Sequence, residues 1–198
     1  MQREIQYDEV FDAQKHFRTL LDSMARPGKI NILPDMGLQP PSGIHHASVL
    51  AGFALLNSDV SFSVEGSGRE DITRYLVINT SSRPSETAEA DFVFINGLIN
   101  PEQLPELKMG TLPYPENSAT LIIDTEELSE HPLTDAVALV LKGPGVAGEK
   151  KIYIRGLNPV IPAWLKEQNE EFPLGIDAIL TDGNNRVLCL PRTTDPLG

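Results

Sequence analysis

The chain has 198 residues, 40% of them hydrophobic, and a formal net charge of −12 at pH 7. This length fits one domain with a real hydrophobic core, and the apolar content argues against a disordered chain. The negative charge argues against nonspecific binding to DNA or RNA, which needs a basic surface, and an acidic surface also disfavours anionic membranes.

The first predicted element is a helix from Asp12 to Ala25, because its apolar residues recur at helical spacing. Asp8 or Asp12 is the expected N-cap, and the run Arg26-Pro27-Gly28 ends the helix. The apolar stripe of this helix, which we expect to face the core, consists of Phe17, Leu20, Leu21 and Met24.

Helices and strands then mix along the rest of the chain. The predicted helices are 44–57, 71–77, 101–107 and 162–170. The predicted strands are 29–33, 61–64, 91–95, 119–124, 137–142, 150–155, 176–181 and 187–190. The pattern shows no repeat and no change in composition, so it favours one α/β domain over residues 1–198, with a mixed sheet flanked by helices.

Two turn sequences join neighbouring strands. Gly143-Pro144-Gly145 separates one pair of strands and Asp182-Gly183-Asn184-Asn185 separates another, so both pairs are predicted to be antiparallel. The tail from Thr193 to Gly198 is polar and is expected to be loose.

The sequence also indicates where the protein works. It has no run of about 20 apolar residues that would span a bilayer, and its first residues lack the apolar stretch of a secretory signal. The single cysteine, Cys189, excludes an internal disulfide and is predicted to be a buried core side chain. We therefore expect a cytoplasmic protein.

Common catalytic motifs are missing from the sequence. There is no P-loop, and Gly66-x-Gly68 lacks the third glycine and the βαβ setting of a dinucleotide site. His45 and His46 are adjacent and would diverge by about 100° on a helix, so they are better explained as solvent or core side chains than as metal ligands. The catalytic residues stay unknown, and no metal is predicted.

Five segments, in order along the chain, resemble the PhnH family, whose members belong to the carbon–phosphorus lyase core complex. They are Phe17–Gly28, Gly110-Thr111 with Pro115 and Ser118–Leu121, Gly143–Val146, Phe172–Leu180, and Pro191–Thr194. The most specific part is the Phe-Pro-x-Gly-Ile-Asp run at 172–177 together with Pro-Arg-Thr-Thr at 191–194.

This resemblance implies an α/β fold similar to the PLP-dependent transferases, but without the PLP cofactor. It also implies a homodimer that joins the G, I and J subunits of the core complex (PhnG, PhnI and PhnJ) and works with the L subunit (PhnL). The implied role is in forming α-D-ribose 1-methylphosphonate 5-triphosphate from ATP and methylphosphonate. Because PhnI is the usual candidate for the chemistry, the resemblance implies an accessory or binding subunit.

The last two strands bring the main candidate residues together. Asp177 opens the first of them and Arg192 closes the second, so an antiparallel pair places the two side chains near each other. Arg192, Thr193 and Thr194 offer a guanidinium and two hydroxyls that suit phosphate or phosphonate oxygens. The alternatives are an Arg–Asp latch, a contact to another subunit, and a backbone-bonded Asp177 that fixes a bend.

Three further residues are candidates for contacts to ligand or partner. The amides around Gly143 and Gly145 could hold an anion, although a type II turn explains this sequence equally well. Arg18 lies off the apolar stripe of its helix, as a solvated or interface charge would.

Three hypotheses of function follow. The first is a scaffold or accessory subunit of the phosphonate-degrading complex. The second is a nucleotide- or phosphonate-binding transferase subunit with its own site around Arg192, and the third is a small-molecule sensor unrelated to phosphonates.

Overall fold

The computed structural model describes residues 3–198. The helices are α1 (Phe11–Ala25), α2 (His46–Leu55), α3 (Arg69–Thr80) and α4 (Ile161–Gln168). The strands are β1 (Asn31–Ile32), β2 (Ser61–Glu65), β3 (Arg83–Pro84), β4 (Phe92–Asn96), β5 (Thr120–Asp124), β6 (Glu127–Ser129), β7 (Ala136–Leu141), β8 (Lys150–Arg155), β9 (Asp177–Thr181) and β10 (Arg186–Leu190). Single turns of 3₁₀ helix lie at Thr87–Glu89, Pro101–Gln103 and Pro115–Asn117.

A central mixed sheet of seven strands, in the order β1-β10-β9-β5-β4-β2-β3, organises the molecule. The strands β3, β2, β4, β5 and β9 run parallel to one another. Strand β10 pairs antiparallel with β9, and β1 pairs antiparallel with β10. The carboxyl ends of the parallel strands therefore meet at one edge of the sheet, which we call the carboxyl edge. Their amino ends meet at the opposite edge, the amino edge.

Helices α1, α2 and α3 cover one face of the sheet. Alternate strand residues such as Phe62, Phe94 and Ile122 point into this layer and are at most 3% exposed. Helix α2 is apolar on most of its surface, and its residues from Ala47 to Phe53 are buried. The prediction of a buried second helix is thus confirmed, because a helix without a polar face can only pack inside the protein.

The other face is covered differently from the prediction. A second, antiparallel sheet in the order β6-β8-β7 packs on it together with α4 and buries a separate apolar cluster. The mixed α/β architecture is confirmed, whereas helices flank the central sheet fully on only one face. The predicted pairing of β7 with β8 is present, but a period of two does not reveal which sheet a hairpin joins.

The predicted apolar stripe of α1 is only partly buried in the structure. Leu20 is 3% exposed as expected, but Phe17 and Leu21 are 47% and 57% exposed. Buried positions of this helix are instead held by polar residues, among them His16 at 0% exposure. Burial of His16 is tolerated because both ring nitrogens find partners, the hydroxyl of Tyr7 at 3.1 Å and the carbonyl of Pro34 at 3.0 Å.

The start of α1 follows the sequence more closely. The carboxylate of Asp8 accepts hydrogen bonds at 2.8 Å from the amides of Val10 and Phe11, which the first turn leaves without helical acceptors. Asp8 is one of the two predicted caps. Asp12, the other, is buried in the first turn and pairs with Lys15 at 3.0 Å.

Several boundaries and details differ from the predictions. The predicted helix 101–107 is one 3₁₀ turn, since Pro105 cannot continue a helix, and the predicted strand 29–33 shortens to two residues. The tail is not loose: the backbone of Asp195 exchanges hydrogen bonds of 3.0 and 2.8 Å with Lys142. Cys189 is fully buried, as predicted, and burial raises the pKa of its thiol. None of the helices described over residues 3–198 has the length and apolarity to cross a membrane.

Candidate functional site

The terminal hairpin places Asp177 beside Arg192 at the amino edge, as predicted. The two strands pair in the register Leu190 to Ala178, so the residues just beyond this pair come together. The Arg192 amide donates to Asp177 Oδ1 at 2.8 Å, and its Nη2 lies 2.7 Å from Oδ2 of the same carboxylate. This ion pair is shielded from solvent, with side-chain exposures of 13% for Arg192 and 24% for Asp177.

Every N–H of the Arg192 guanidinium has an acceptor inside the protein. Besides the two contacts to Asp177 from Nε (3.4 Å) and Nη2, Nη1 donates to the carbonyls of Pro115 (3.0 Å) and Pro173 (3.1 Å). Nη2 also donates to Ser118 Oγ at 2.5 Å. A guanidinium has five N–H groups, and all five are used. The geometry therefore favours the latch, and the ligand role of Arg192 stays a prediction.

A wide cleft of about 500 Å³ lies next to this latch. Thr193 and Thr194 form part of its wall, and the pair Lys166–Asp195, 2.7 Å apart, forms another part. Thr194 is 5% exposed, and its hydroxyl has no hydrogen-bond partner within residues 3–198. The exposed ring of Phe172 lines the same cleft, which is thus more apolar than a phosphate site would be.

The glycine turn adjoins the cleft and has type II features. The amide of Val146 donates to the carbonyl of Gly143 at 3.2 Å, and Gly145 has φ +81°, the value that the third position of this turn requires. Both glycines lie close to neighbouring backbone, since a Cβ on Gly143 would stand 2.6 Å from the carbonyl oxygen of Thr193. An anion-binding role for the turn stays a prediction.

Arg18 is not brought to this cluster. It is exposed on α1, and no carboxylate lies within ion-pair distance of it in the part of the chain that the structure describes. Its predicted part in a contact to a partner stays a prediction.

A second polar cluster, missed in the sequence, lies at the carboxyl edge. Asp124 ends β5 and is 8% exposed. Its Oδ1 accepts a hydrogen bond from Ser48 Oγ at 2.5 Å, and the Ser48 hydroxyl lies 2.6 Å from that of Thr181. The amide of His45, which precedes α2, points at both carboxylate oxygens at 3.3 Å, and His45 Nδ1 lies 3.2 Å from Oδ1.

The imidazole of His45 is the accessible member of this cluster, with 42% of its side chain exposed. The hydrogen bond to Asp124 raises the pKa of His45, and the negative charges of Asp124 and Asp182 act in the same direction against partial burial. A larger share of this histidine is therefore protonated near neutral pH than of an ordinary one.

Beside this cluster is a cavity of only about 20 Å³, room for a single water molecule. Ser48, Glu65, Asn96 and Asp124 are among its lining residues. Glu65, Asn96 and Asp124 lie at the carboxyl ends of β2, β4 and β5, respectively. The chain leaves β2 toward β3 on one side and continues through β4 and β5 on the other, so this is the switch point of the sheet.

The sequence concealed this arrangement for two reasons. His45 and Asp124 are 79 positions apart and meet only through the parallel order of strands, which alternation of apolar residues does not encode. The interpretation of the loop at Gly66 and Gly68 is also wrong in one respect, because β2, α3 and the parallel β3 do form a βαβ unit. The one local signal is a carboxylate that ends an apolar strand.

No group of three or more His, Cys, Asp or Glu side chains in residues 3–198 is placed to hold a metal ion. The described fold and its two clusters define an α/β protein with an internal arginine latch at one sheet edge and a histidine–carboxylate pair at the other.

Comparison with known proteins then gives the family. The family of bacterial phosphonate metabolism proteins called PhnH matches residues 6–196, so the chain belongs to it, and the resemblance inferred from the motifs is confirmed. Alpha-D-ribose 1-methylphosphonate 5-triphosphate synthase subunit PhnH of Rhizobium meliloti (strain 1021) is 31% identical over 189 residues, 94% of this chain and 91% of that protein. The putative C-P lyase subunit protein HtxG of Stutzerimonas stutzeri is 31% identical over 186 residues, 91% of this chain and 84% of that protein.

Proposed function

We propose that this protein is an accessory subunit of the carbon–phosphorus lyase complex, acting in the breakdown of organic phosphonates. The observation that carries the proposal is similarity along almost the whole chain to two proteins that are themselves named as subunits of such a system. Because the similarity is not confined to one segment, we infer that the role of the whole protein is shared.

The reaction that we assign to the complex follows from the product in the relative's name, a ribose with methylphosphonate at C1 and triphosphate at C5. If ATP supplies the ribose triphosphate, the C1–N bond to adenine breaks and a C1–O bond to methylphosphonate forms. Adenine leaves with the electron pair of the broken bond and takes up a proton, which balances the reaction.

This reaction needs a pocket for a nucleotide, and the described chain offers none at its carboxyl edge, where the cavity of about 20 Å³ has room for only one water molecule. We therefore propose that the protein is not catalytic by itself and that PhnI carries the chemistry. Exposed apolar side chains of the present protein, such as Phe11 at 68%, Leu21 at 57% and Phe172 at 65%, offer surfaces for partner subunits.

We further propose a homodimer that joins the G, I and J subunits, works with PhnL, and acts in the cytoplasm. The fold is proposed to be similar to a reduced PLP-dependent transferase that works without PLP. In support of the last point, each of the seven lysines in the chain is at least partly exposed, and none lines the cavity at the switch point. A lysine that forms a Schiff base is instead desolvated in its pocket.

Reconstitution tests the proposal. PhnG, PhnI and PhnJ are purified with and without this protein, and the complex is supplied with PhnL, ATP and methylphosphonate while adenine release is followed. We expect co-purification and adenine release that depends on this protein. Failure to co-purify, together with equal adenine release in its absence, would reject the accessory role.

The second candidate function is binding of a nucleotide or phosphonate around Arg192, Asp177, Thr193 and Thr194. It is favoured by the cleft of about 500 Å³ and by the buried hydroxyl of Thr194, which has no partner in the described chain. Calorimetry with ATP and with methylphosphonate on the isolated protein tests it. Binding that is lost in Thr194→Val while the protein stays folded supports this function, and no heat from either compound rejects it.

A further inference from the structure

The cleft beside the Arg192 latch has a lining that suits a polypeptide. The ring of Phe172 forms part of its wall and is 65% exposed, and Pro144 of the glycine turn also lines it. With a volume of about 500 Å³, the cleft is large enough to take side chains from another protein.

Phe172 is exposed on a loop that the rest of the protein holds in place. The guanidinium of Arg192 donates to the carbonyl of Pro173 at 3.1 Å, directly after the aromatic residue. Asn169 Oδ1 accepts from the amide of Ile176 at 2.8 Å and so joins the two ends of the loop. The ring is therefore presented in a fixed position, and covering it costs little conformational entropy.

The end of α4 carries three carboxylates that have no cation of their own. Glu167, Glu170 and Glu171 are exposed, and none of them forms an ion pair within residues 3–198. They lie at or just beyond the carboxyl end of the helix, where the helix dipole is itself negative. The basic residue of the last turn, Lys166, pairs with Asp195 instead. An uncompensated negative charge thus stands beside an apolar cleft.

We propose that this cleft docks a basic, amphipathic segment of a partner subunit. An apolar side chain of that segment packs against Phe172, and its Lys or Arg side chains lie beside Glu170 and Glu171. The inference rests on the proposed function and specifies which surface of the protein meets the complex. An apolar centre with a charged rim is the usual anatomy of a specific interface, and a rigid aromatic side chain is a common anchor.

A buried hydroxyl supports an occupant that has polar backbone groups. Thr194 lines the cleft and is 5% exposed, and its Oγ1 has no hydrogen-bond partner within residues 3–198. Leaving such a group unsatisfied is costly. A hydroxyl can donate or accept, so either an amide or a carbonyl of a docked segment satisfies it.

The charges also decide between the possible occupants. In a two-fold contact between copies of this chain, the same patch meets itself, so the carboxylates of one copy face those of the other. Like charges brought together in this way oppose binding. The same carboxylates disfavour the anionic ligands of the second candidate function. A cationic segment, in contrast, is attracted by all three.

The first test measures the affinity of this protein for the assembled complex of PhnG, PhnI and PhnJ by calorimetry. Phe172→Ala is compared with Leu98→Ala, because Leu98 is also exposed, at 60%, but lies in the turn after β4 at the carboxyl edge. Loss of an aromatic anchor should weaken binding by about 30-fold, and Leu98→Ala should bind like the wild type. Equal affinity of all three proteins would overturn the inference.

The second test concerns the charged rim. The double variant Glu170→Gln/Glu171→Gln should bind more weakly at low ionic strength and lose less affinity as salt is added, because it lacks the attraction that salt screens. Glu86→Gln/Glu89→Gln is the control, since both of these glutamates are exposed and lie next to β3 at the far end of the sheet. The same salt dependence in wild type and both double variants would show that the occupant is not cationic.

The outcomes separate this inference from the function on which it rests. A wild-type protein that does not bind the complex rejects both. Binding that survives Phe172→Ala and Glu170→Gln/Glu171→Gln leaves the accessory role intact and rejects only the docking site. Analytical ultracentrifugation of Phe172→Ala covers the remaining occupant, because a change from dimer to monomer with unchanged affinity for the complex would assign the cleft to a second copy and overturn the inference.

Discussion

At the scale of single residues, Arg192 is a structural centre of the amino edge. Its guanidinium donates to a carboxylate, to two carbonyls and to a hydroxyl, and so ties the hairpin to the loops that precede β5 and β9. Removing it would leave the Asp177 carboxylate, 24% exposed, without its counter-ion. An unpaired charge in such a position is costly.

We therefore predict that Arg192→Ala lowers the free energy of unfolding by about 3 kcal/mol, as measured by urea denaturation. Arg18→Ala is the control, because Arg18 is exposed and surface substitutions usually change stability by less than about 0.5 kcal/mol. Equal stability of the two variants would show that the observed bonds of Arg192 contribute little, and would favour a ligand role instead.

The two histidines in polar contacts give opposite pH effects. Burial lowers the pKa of His16, so the folded state resists its protonation, and stability falls as pH drops below about 6.5, the usual value. The pKa of His45 is raised, so its contribution is full below about 6.5 and is lost as pH rises through the folded value.

Urea unfolding at pH 7.5 and 5.5 checks these signs. We expect that His16→Gln reduces the loss of stability on going to pH 5.5, whereas His45→Gln increases it. The carboxylates with lowered pKa values, Asp12, Asp91 and Asp195, titrate in the acid range well below this window and do not interfere. Identical pH dependence in wild type and both variants would contradict the prediction.

At the scale of elements, the turn after β7 shows how close packing fixes a sequence. Gly145 has φ +81°, and a Cβ there would lie 2.5 Å from the carbonyl oxygen of Ala25 at the end of α1. Gly148 in the same loop has φ +75° but no atom within 4 Å of such a Cβ. A comparison of substitutions at Gly145 and Gly148 therefore separates the free-energy cost of the left-handed backbone from the cost of overlap between the new Cβ and α1.

We predict that Gly148→Ala costs about 1 kcal/mol, the usual cost of a left-handed alanine, and that Gly145→Ala costs about 3 kcal/mol because the contact with α1 must also move. Thermal or urea unfolding of the two variants measures the difference. Equal losses would mean that the turn can shift away from α1 without cost.

Elements with a strong local signal were predictable, and those defined by partners were not. The buried α2, the hairpin of β9 and β10 and the pairing of β7 with β8 all follow from apolar runs and turn residues. The two-residue strand β3 was not predicted, because it exists only where the neighbouring β2 offers hydrogen bonds. The strand predicted at 29–33 is present only as the two-residue β1, because its length is set by its pairing with β10.

The same contrast applies to the candidate sites. Asp177 and Arg192 are 15 positions apart within one hairpin, so simple strand geometry brings them together. The contact of His45 with Asp124 depends on the order of the parallel strands. The exposure of Phe17 depends on which residues of α1 are buried, and His16 is buried because its ring finds hydrogen-bond partners inside the protein. Both require knowledge of the tertiary structure.

At the scale of the whole molecule, two apolar clusters share one sheet. The helical layer and the small sheet with α4 lie on opposite faces of the central strands, and both bury alternate residues of β4, β5 and β9. Loss of either layer exposes the shared strands. We propose, therefore, that residues 1–198 form a single domain.

Such a domain should unfold in one step, and its aromatic residues can report on it. The single tryptophan, Trp164, packs on the cluster of the small sheet, while Tyr7 and Tyr75 belong to the helical cluster. We expect the urea midpoints from Trp164 fluorescence and from the tyrosine signal in near-UV circular dichroism to coincide. Separate midpoints would indicate two domains.

The hydrogen bonds between Asp195 and Lys142 affect how the molecule behaves among its own copies. They lie just past the end of β7, and Leu197 adds a bridge to Val140 within that strand, whose other side is already paired with β8. A strand with a bare edge is a template for aggregation. A truncation that ends the chain before Asp195 would expose that strand edge, and otherwise folded molecules would then aggregate.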